Sequence, residues 1–358
     1  MSTLNIAVLY GGKSTEHEVS VHSAQTVCHL LQAKPERYHL FFIFIDKQGQ
    51  WFLQKECGFK TPQDIAITPV VAPQYNLQSL DGSWKEKIDV MFPVLHGTNC
   101  EDGTIQGLFE TINVPYVGCG VLASSMGMDK EIAKMLARES GVSVVPHWTV
   151  HRGQAYDKSA LEQWVQKQGL PVFVKPVRLG SSVGVRKVKT LEELHDAVDF
   201  ALQFDTDVMI EKGVDHAREI FCALYGEGTQ AVASACGELK MLAGEFFDYN
   251  AKYLVEGGCE TKVPAAIPAE TEKQMRKDAL AVFRALRCSG LARADFLMDK
   301  TGKYYFSEIN TLPGMSETSL YPQLFNASGQ QYDKMLDGMI EQALAVWKVK
   351  NGLVLQRA

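Results

Sequence analysis

Runs of apolar residues, interrupted by glycines and polar segments, divide the N-terminal part of the chain into short elements. An apolar run at 4–10 leads into Gly11-Gly12 and then into an amphipathic segment that reaches about Leu31. This order predicts a strand, a tight glycine turn and a helix. A second strand at 38–45 completes a β-α-β unit, which favours a parallel sheet. Another strand, at 90–95, ends at His96-Gly97, whereas residues 47–88 are polar and irregular and are left unassigned.

The middle of the chain begins with a helix that has clear start and stop signals. Asp129 is suited to cap a helix that runs to Ser140, and Gly141 ends it. Strands are expected at 171–175, 185–188 and 208–211, with a helix near 191–204 and a C-terminal helix near 332–347. The pattern therefore predicts an α/β protein. A small, glycine-rich stretch at 119–125 indicates the first domain boundary.

The stretch 293–310 alternates as a β-hairpin does, with strands at 291–298 and 303–308 and a four-residue turn at 299–302. That turn places Arg293 opposite Glu308 and Asp295 opposite Phe306. Cross-strand partners share a face, so one face carries Arg293, Asp295, Glu308 and Asn310. A solvated surface hairpin would also have a polar face, but here the other face is as apolar as a core. Carboxylates and an amide on one surface suit Mg²⁺, with positions left for phosphate oxygens.

Composition and charge narrow the class of protein. A chain of 358 residues, 46% hydrophobic and 22% charged, is expected to be a soluble protein of two or three domains. The net charge of −6 argues against a general nucleic-acid binder. The longest apolar run, 40–45, is too short to span a bilayer, and no signal peptide is recognisable. The eight cysteines form no C-x-x-C pair, which is typical of reduced thiols in an intracellular protein.

Lys175 ends an apolar strand and precedes a loop at 178–184 that has glycine near both ends. Glycine lets such a loop present several N–H groups to an anion. The loop fits neither the Walker pattern nor the Rossmann fingerprint, and a plain hairpin loop explains it equally well. The buried Lys175 ammonium needs a partner, either a nucleotide phosphate or a carboxylate of the protein.

Residues 11–16 precede a helix N-terminus, where a phosphate could bind. Glu16 and Glu18 disfavour a phosphate there and favour an ammonium-bearing substrate, or they merely interact with the helix dipole. His96 lies at the same sheet edge, just beyond a strand, where ligands of open α/β sheets gather. Lys252 and Tyr253 belong to a long aperiodic segment at 245–258, for which a lid and a plain surface loop are the two interpretations.

Seven segments, in order along the chain, resemble the D-alanine–D-alanine ligases of the ATP-grasp superfamily: GGKSTEHEVS, HGTNCEDGTIQG, MDK, VKPVRLGSSVGV, AKY, ARADF and SEINTLPGMSETSLYP. They span residues 5 to about 325. The resemblance implies a three-domain ATP-grasp architecture with an N-terminal open parallel sheet. Its parts would be an N-terminal α/β substrate domain at 1–120, a central ATP-grasp subdomain at 121–212, and a C-terminal ATP-grasp and metal-binding domain at 213–358.

The resemblance also implies a reaction. ATP phosphorylates the carboxylate of one D-alanine, because a carboxylate is a poor acyl donor. The amine of a second D-alanine attacks the D-alanyl phosphate, and the products are D-alanyl-D-alanine, ADP and phosphate, for peptidoglycan precursor synthesis. The implied cofactors are ATP and two Mg²⁺ ions, with Mn²⁺ as a substitute. The implied protein is a cytoplasmic homodimer without nucleic-acid or membrane partners.

Roles for particular residues are implied by their places in the matching segments. Those that act on D-alanine are Glu16 (first ammonium), Ser181 and Tyr253 (bonds that join Glu16 across domains), His96 (first carboxylate), Arg293 and the Gly314 N–H (oxyanion hole), and Ser319 and Leu320 (second carboxylate). Those that bind ATP are Lys130, Lys175 and Lys252 (phosphates), Glu211, Lys212 and Val214 (adenine), and Glu219 (ribose). The Mg²⁺ ligands are Asp295, Glu308 and Asn310.

Other functions are compatible with parts of the sequence. A ligase of the same fold that uses D-lactate as second substrate is the nearest alternative, although the resemblance links Tyr253 in Ala-Lys-Tyr to dipeptide formation. A regulatory nucleotide-binding protein without turnover would not need the full set of residues on the 293–310 hairpin. A dinucleotide dehydrogenase is disfavoured because no G-x-G-x-x-G follows the first strand.

Overall fold

The computed structural model describes residues 3–241 and 259–353. Within these ranges the strands form three sheets, of seven, four and five strands. Helices pack against each sheet. This mixture of layers confirms the α/β fold class.

The first sheet has the strand order β6-β5-β4-β3-β2-β1-β7. Its strands are β1 (Leu4–Gly11), β2 (Tyr38–Ile45), β3 (Trp51–Gln54), β4 (Ile65–Pro69), β5 (Leu77–Ser79), β6 (Lys85–Glu86) and β7 (Val90–Pro93). β1 pairs in parallel with β2 and β7, as the β-α-β pattern predicts. β3 to β6 continue the sheet in antiparallel pairs. The sheet is therefore mixed, and the unassigned residues 47–88 supply its antiparallel half.

Helices cover both faces of the first sheet because β1 is apolar on both sides. Ile6 and Val8 pack in one core with α1 (His17–Gln32), whereas Ala7 and Leu9 pack in another with α2 (Thr104–Thr111). Successive residues of a strand point to opposite faces, and this divides the side chains of β1 between the two cores. The strand at 4–10 and the helix that follows it are thus confirmed.

The second sheet is antiparallel and has the order β10-β9-β11-β8. Its elements are β8 (His147–His151), α5 (Lys158–Gln168), β9 (Val172–Pro176), β10 (Arg186–Val188), α6 (Leu194–Ala201) and β11 (Asp207–Lys212). The three predicted strands are confirmed to within one residue at each end, whereas β8 and α5 were not anticipated. The glycine-bounded loop at 178–184 connects β9 to β10.

The third sheet is also antiparallel and has the order β14-β13-β12-β15-β16. Its strands are β12 (Arg218–Glu227), β13 (Val232–Met241), β14 (Cys259–Lys262), β15 (Ser289–Met298) and β16 (Tyr304–Asn310). Helices α3 (Val121–Met128), α4 (Lys130–Glu139) and α7 (Ala269–Ala285) contribute to its core, in which Ala133, Phe283 and Phe296 are buried. Residues 121–139 thus pack with the third sheet, and the division of the chain into domains stays a prediction.

The last two helices, α8 (Leu320–Ala327) and α9 (Tyr332–Asn351), connect the third sheet to the first. Leu336 and Ile340 of α9 lie in the same core as Val90 of β7. At the surface, Lys34 and Arg37 bind Asp337 at 3.0 Å and 2.8 Å. The predicted C-terminal helix is confirmed and extends beyond 347 to Asn351.

Candidate active site

Loops from all three sheets meet around Glu16. The Ser181 hydroxyl, from the loop between β9 and β10, donates a hydrogen bond to Glu16 Oε1. A Cβ on Gly97, which follows β7, would lie only 2.8 Å from Glu16 Oε2. Because no side chain fits at position 97, the loop after β7 can lie directly against the loop after β1. Glu18, by contrast, is exposed and pairs with Lys47 at 2.6 Å, so Glu16 is the carboxylate that faces this region.

His96 is buried beside Glu16 and connects to the third sheet. Its Nδ1 lies 2.8 Å from the Leu312 carbonyl oxygen, which can only accept, so Nδ1 carries the proton. Its Nε2 is then an acceptor for the Ser23 hydroxyl at 3.4 Å. Burial lowers the pKa of His96, although the negative charge of Glu16 opposes this shift. His96 is thus a neutral imidazole near neutral pH.

The hairpin of β15 and β16 brings the predicted polar residues onto one face, but in a different register. The predicted pairing of Arg293 with Glu308 and of Asp295 with Phe306 is wrong: Arg293 lies opposite Asn310, and Asp295 lies opposite Glu308. The connection is longer than the predicted turn, and a bulge after Asp295 compensates for it. The connection and the bulge each add one residue, and together they shift the pairing by two. A shift of two keeps the same side chains on the same face, so the shared face is confirmed although the register is not.

Asp295 is the centre of this polar face. Its carboxylate accepts hydrogen bonds from Arg293 Nε and Nη2, each at 2.7 Å, in a bidentate arrangement. Asn310 Nδ2 donates to Asp295 Oδ2 at 3.0 Å. Since the amide nitrogen is held there, Asn310 Oδ1 is left as an oxygen ligand. Glu308, across from Asp295, pairs with Lys130 at 3.2 Å.

A buried charge cluster lies beside this face and joins the second sheet to α4. Glu211, on β11, is 3% exposed and binds Lys134 at 2.7 Å and Lys175 at 2.5 Å. Burial would raise the pKa of Glu211, but the two ammonium groups outweigh it and lower the pKa to about 2. Burial lowers the pKa of the fully buried Lys134 to about 8, against the attraction of Glu211. Lys175 thus has a carboxylate of the protein as one partner, and its other N–H donors can still bind a phosphate oxygen.

Lys130 is placed by the start of α4. The Asp129 side chain accepts from the N–H groups of Glu131 and Ile132, which confirms the predicted N-cap. Lys130 then lies in the first turn and donates to the Leu179 carbonyl oxygen at 2.6 Å. Leu179 belongs to the loop at 178–184 and Glu308 to β16. Lys130 therefore connects α4 to both that loop and that strand.

The loop at 178–184 is anchored at its base by Arg178. The Arg178 N–H donates to Asp205 at 2.7 Å, and its guanidinium binds Asp205, Asp207 and, at 3.6 Å, Asp129. Further along, Ser181 and Ser182 have φ angles of +52° and +58°, which non-glycine residues seldom adopt. A loop with a fixed base and two left-handed residues at its tip is shaped to place Ser181 over Glu16.

The loop between β16 and α8 closes the site on the side of His96. Ser319 precedes α8 and accepts a hydrogen bond from the Ser316 N–H at 3.0 Å. A Cβ on Gly314 would lie 2.9 Å from Ser319 Oγ, so glycine allows these two turns of the loop to approach. Leu320 is half-buried at the start of α8.

The residues predicted to bind adenine and ribose lie on β12 and at the end of β11. Glu219 is on β12, opposite Leu297 of β15. Lys212 is exposed at the end of β11, and Val214 is half-buried just after it. Lys252 and Tyr253 lie outside the described residues, as does the lid proposed for 245–258.

Two residues of the site were not singled out in the sequence. Lys134 lies one helical turn after Lys130, and its neighbours Ala133 and Ala137 on that face are buried, which could have indicated an inward-facing lysine. Glu101 lies in the loop after β7, where burial and the charge of Glu16 raise its pKa well above the usual value.

The donor set fits a hard cation better than a transition metal. Among the described residues, no three His, Cys, Asp or Glu side chains form a metal-binding group. The face of β15 and β16 instead offers two carboxylates, Asp295 and Glu308, with the amide oxygen of Asn310. Oxygen ligands of this kind are those that Mg²⁺ binds, usually with water or phosphate oxygens in the other positions.

Comparisons with known proteins agree with this geometry. Family profiles described as D-ala D-ala ligase N-terminus and C-terminus match residues 5–119 and 136–341. The D-alanine--D-alanine ligase A of Chromobacterium violaceum is 38% identical over 99% of this chain and 98% of its own length. The structure of the D-alanine-D-alanine ligase from Coxiella burnetii covers 98% of this chain with a TM-score of 0.87 at 33% identity, and 97% of that chain is covered. The VanG D-Ala:D-Ser ligase from Enterococcus faecalis covers 95%, with a TM-score of 0.84 at 33% identity, and 99% of that chain is covered.

Proposed function

The chain belongs to the D-alanine–D-alanine ligase family, and we propose that it joins two D-alanines into D-alanyl-D-alanine at the expense of ATP. The reaction releases ADP and phosphate and supplies a precursor of peptidoglycan. The observation that carries this function is that Glu16 and Arg293 lie around the same two groups, since the charges of both shift the pKa of His96 and of Glu101. Ser181 binds Glu16 and Asp295 binds Arg293, so all three sheets contribute to this place. An ammonium-binding carboxylate thus lies beside a face suited to phosphoryl transfer.

The chemistry proceeds in two steps. The carboxylate oxygen of the first D-alanine attacks the γ-phosphorus of ATP, the bond to the bridging oxygen breaks, and ADP leaves. The amine of the second D-alanine, after losing a proton, attacks the carbonyl carbon of the D-alanyl phosphate, and phosphate leaves from the tetrahedral intermediate. Phosphoryl transfer of this kind depends mainly on positioning and charge neutralisation, which the lysines and the carboxylate face of this site can provide.

The first D-alanine is assigned to the region of Glu16 and His96. Glu16 binds its ammonium group, and the Ser181 hydroxyl orients the carboxylate of Glu16. His96 is held as a neutral ring by the Leu312 carbonyl, so it can approach the D-alanine carboxylate as a polar neighbour without adding a fixed charge. Arg293, which Asp295 holds by two hydrogen bonds, lies near the oxyanion of the tetrahedral intermediate together with the Gly314 N–H.

The second D-alanine binds beside the loop that precedes α8, with its carboxylate at Ser319 and Leu320. The N-terminus of a helix favours a negative charge, and Leu320 is the first residue of α8. Tyr253 and Lys252 are assigned to a lid that bonds to Glu16 and to the γ-phosphate, and this assignment concerns residues outside those described.

The ATP phosphates are assigned to Lys130 and Lys175. Each ammonium has three donors, so Lys130 can bind a phosphate oxygen in addition to Leu179 and Glu308. Adenine is assigned to the segment that ends β11, at Glu211, Lys212 and Val214, and the ribose to Glu219. The Glu211 carboxylate is engaged by two lysines, so its contribution to the nucleotide site is also to hold Lys175 in place.

Two Mg²⁺ ions are assigned to Asp295, Glu308 and Asn310, with Mn²⁺ as a substitute. Held by these ligands, such ions would supply positive charge against the negative charge that develops during transfer. The chain's own contribution is to hold the ligands rigidly: Arg293 and Asn310 fix Asp295, and Lys130 restrains Glu308.

The enzyme is further proposed to be a cytoplasmic homodimer. Seven cysteines of the described ranges are free thiols, as expected in a reducing compartment. Across residues 3–241 and 259–353, no helix is long and apolar enough to cross a bilayer. Large apolar side chains are exposed on α3 and α4, namely Leu122, Ile132 and Met135, and a second copy of the chain could cover them.

The second substrate is the point on which relatives differ, since the VanG enzyme is a D-Ala:D-Ser ligase. A competition assay tests the choice: the enzyme receives ATP, Mg²⁺ and D-alanine with equal amounts of D-serine and D-lactate, and products are separated by mass. D-alanyl-D-alanine is expected to dominate at neutral pH. Predominant D-alanyl-D-serine or D-alanyl-D-lactate would reassign the second subsite, and no amino-acid-dependent ADP release would refute the ligase function.

A further inference from the structure

Six of the seven free cysteines in the described ranges have their thiol against another thiol, and Cys100 is the seventh. Hydrogen bonds between thiol groups join three pairs, which are Cys28 with Cys57, Cys119 with Cys288, and Cys222 with Cys236. None of these residues belongs to the proposed active site, so a separate explanation is needed for the pairs.

The pair Cys28–Cys57 differs from the other two in its access to solvent. Cys57 is half-buried in the segment after β3, between Glu56 and Phe59, which are both exposed. Cys28 is buried on the inner face of α1, at 2% exposure. A small oxidant can therefore reach Cys57 from solvent, and Cys28 lies directly behind it.

The four cysteines of the other pairs are all buried. Cys222 and Cys236 face each other across β12 and β13, where both are fully buried. Cys119 and Cys288 are 1% and 4% exposed. In these two pairs the thiols are also in contact, but solvent does not reach them. They are therefore internal controls for the effect of exposure.

The surroundings of Cys57 also favour its thiolate. The contact with the Cys28 thiol lowers the pKa of Cys57, against the effect of burial. In each of the three pairs, the thiol contact and burial raise the pKa of one member, which is Cys28, Cys236 or Cys288. Reactivity needs both thiolate and access, and Cys57 is the member of these three pairs that solvent can reach, so we expect it to react first.

We propose that Cys28 and Cys57 form an oxidation site at which a hydroperoxide converts the two thiols into a disulfide. Cys57 is the attacking thiol and Cys28 is the resolving thiol. The disulfide would join α1 to the segment after β3, within the first sheet and away from the nucleotide site. Disulfides in reducing compartments are typically transient and redox-sensing, and the partial exposure of Cys57 makes this one accessible to reductants.

The reaction balances as two steps. The Cys57 thiolate attacks one oxygen of the peroxide, an S–O bond forms, the O–O bond breaks, and a sulfenic acid and hydroxide result. The Cys28 sulfur then attacks the Cys57 sulfur, the S–S bond forms, the S–O bond breaks, and water leaves with the thiol proton. Overall, two thiols lose two electrons and two protons, and one hydrogen peroxide becomes two waters.

The test is a titration of the full-length protein with hydrogen peroxide, followed by alkylation, digestion without reductant and mass spectrometry. The expected result is a peptide cross-linked through Cys28 and Cys57 that forms at least about tenfold faster than cross-links of the two buried pairs, because thiolate content and exposure both favour Cys57. Dithiothreitol should reverse it. Equal rates for all three pairs, or Cys57 oxidised while Cys28 stays a free thiol, would overturn the proposal.

Two variants separate the roles of the thiols. Cys57→Ser should abolish the cross-link and leave Cys28 unoxidised at the same peroxide dose. Cys28→Ser should leave Cys57 as a sulfenic acid that dimedone labels, with circular dichroism used to verify that the variant is folded. Should Cys28→Ser prove unfolded, Cys57→Ser and the wild-type cross-link still decide the matter. Oxidation of Cys28 in the Cys57→Ser variant at the wild-type rate would reverse the assigned roles and contradict the proposal.

Discussion

The charge cluster around Glu211 yields a quantitative prediction. Its carboxylate binds Lys134, which is fully buried on α4, and Lys175, which is on β9. Because α4 packs in the core of the third sheet, the Glu211–Lys134 ion pair attaches the second sheet to it, whereas Lys175 lies in the same sheet as Glu211. Glu211→Gln keeps the shape of the side chain and removes the charge that both ammonium groups face.

The expected cost is large because a buried cation loses its counter-charge. Removing one partner of a buried ion pair costs about 3–5 kcal/mol, since the remaining charge is left uncompensated. Lys134→Met is the matched control: it removes the fully buried ammonium, and Glu211 keeps Lys175 as a partner. We expect it to cost clearly less than Glu211→Gln. The double variant should cost less than the sum of the two single ones, because it removes both charges together.

Hydrogen exchange followed by mass spectrometry measures this effect where it occurs. Protection of β9, β11 and α4 should fall in Glu211→Gln, while protection of α1 and β1 should be unchanged. Urea unfolding of the same variants gives the overall ranking. Unchanged protection in Glu211→Gln, or an equal loss in Lys134→Met, would refute the idea that Glu211 holds these elements together.

Three further predictions concern the site. Asp295→Asn and Glu308→Gln should each lower kcat roughly 100-fold or more at saturating Mg²⁺, with little change in ATP binding, because several kcal/mol of charge stabilisation is lost during transfer. Arg178→Ala should release the loop that carries Ser181 and raise the ratio of ATP hydrolysed to dipeptide formed, measured by parallel phosphate and dipeptide assays. The free energy of unfolding of wild type should rise relative to that of Lys134→Met between about pH 8 and pH 10.5. In that interval Lys134 is neutral in the folded protein but protonated in the unfolded chain, so raising the pH favours the folded state. Unfolding measured as a function of pH tests this.

Each of these predictions has a contrary outcome. Near-normal kcat in both carboxylate variants would remove the metal assignment. A coupling ratio in Arg178→Ala equal to that of wild type would mean that the loop is positioned without its anchor. A stability difference from Lys134→Met that stays constant across the alkaline range would show that Lys134 keeps its proton when folded.

The periodicity of hydrophobic residues was sufficient to predict the strands and helices with strong local patterns. The run at 4–10 is buried on both faces and begins a β-α-β unit, so its sequence and its surroundings agree. The strands β3 to β6, of two to five residues, were missed because such short strands are defined by their neighbours in the sheet. In the hairpin of β15 and β16, the bulge after Asp295 leaves no sign in the alternation, which explains the wrong register.

The candidate site depended more on resemblance than on pattern. The motifs predicted roles for Glu16, Ser181 and Asp295, and these roles stay predictions. The structure brings the Ser181 hydroxyl to Glu16 and holds Asp295 against Arg293. The apolar neighbours of Lys134 could have indicated that it faces inward, but its partner Glu211 could not be predicted, because a different sheet supplies it. The thiol contacts were not predicted either, because each depends on how two separate elements pack or pair.

The most direct test of the account is whether phosphoryl transfer to D-alanine precedes peptide bond formation. D-alanine labelled with ¹⁸O in both carboxylate oxygens is incubated with the enzyme, ATP and Mg²⁺, and the released phosphate is analysed by mass spectrometry. The account predicts one ¹⁸O atom in the phosphate for each dipeptide formed, because the acyl phosphate transfers its bridging oxygen. Dipeptide accompanied by unlabelled phosphate would contradict the D-alanyl phosphate intermediate.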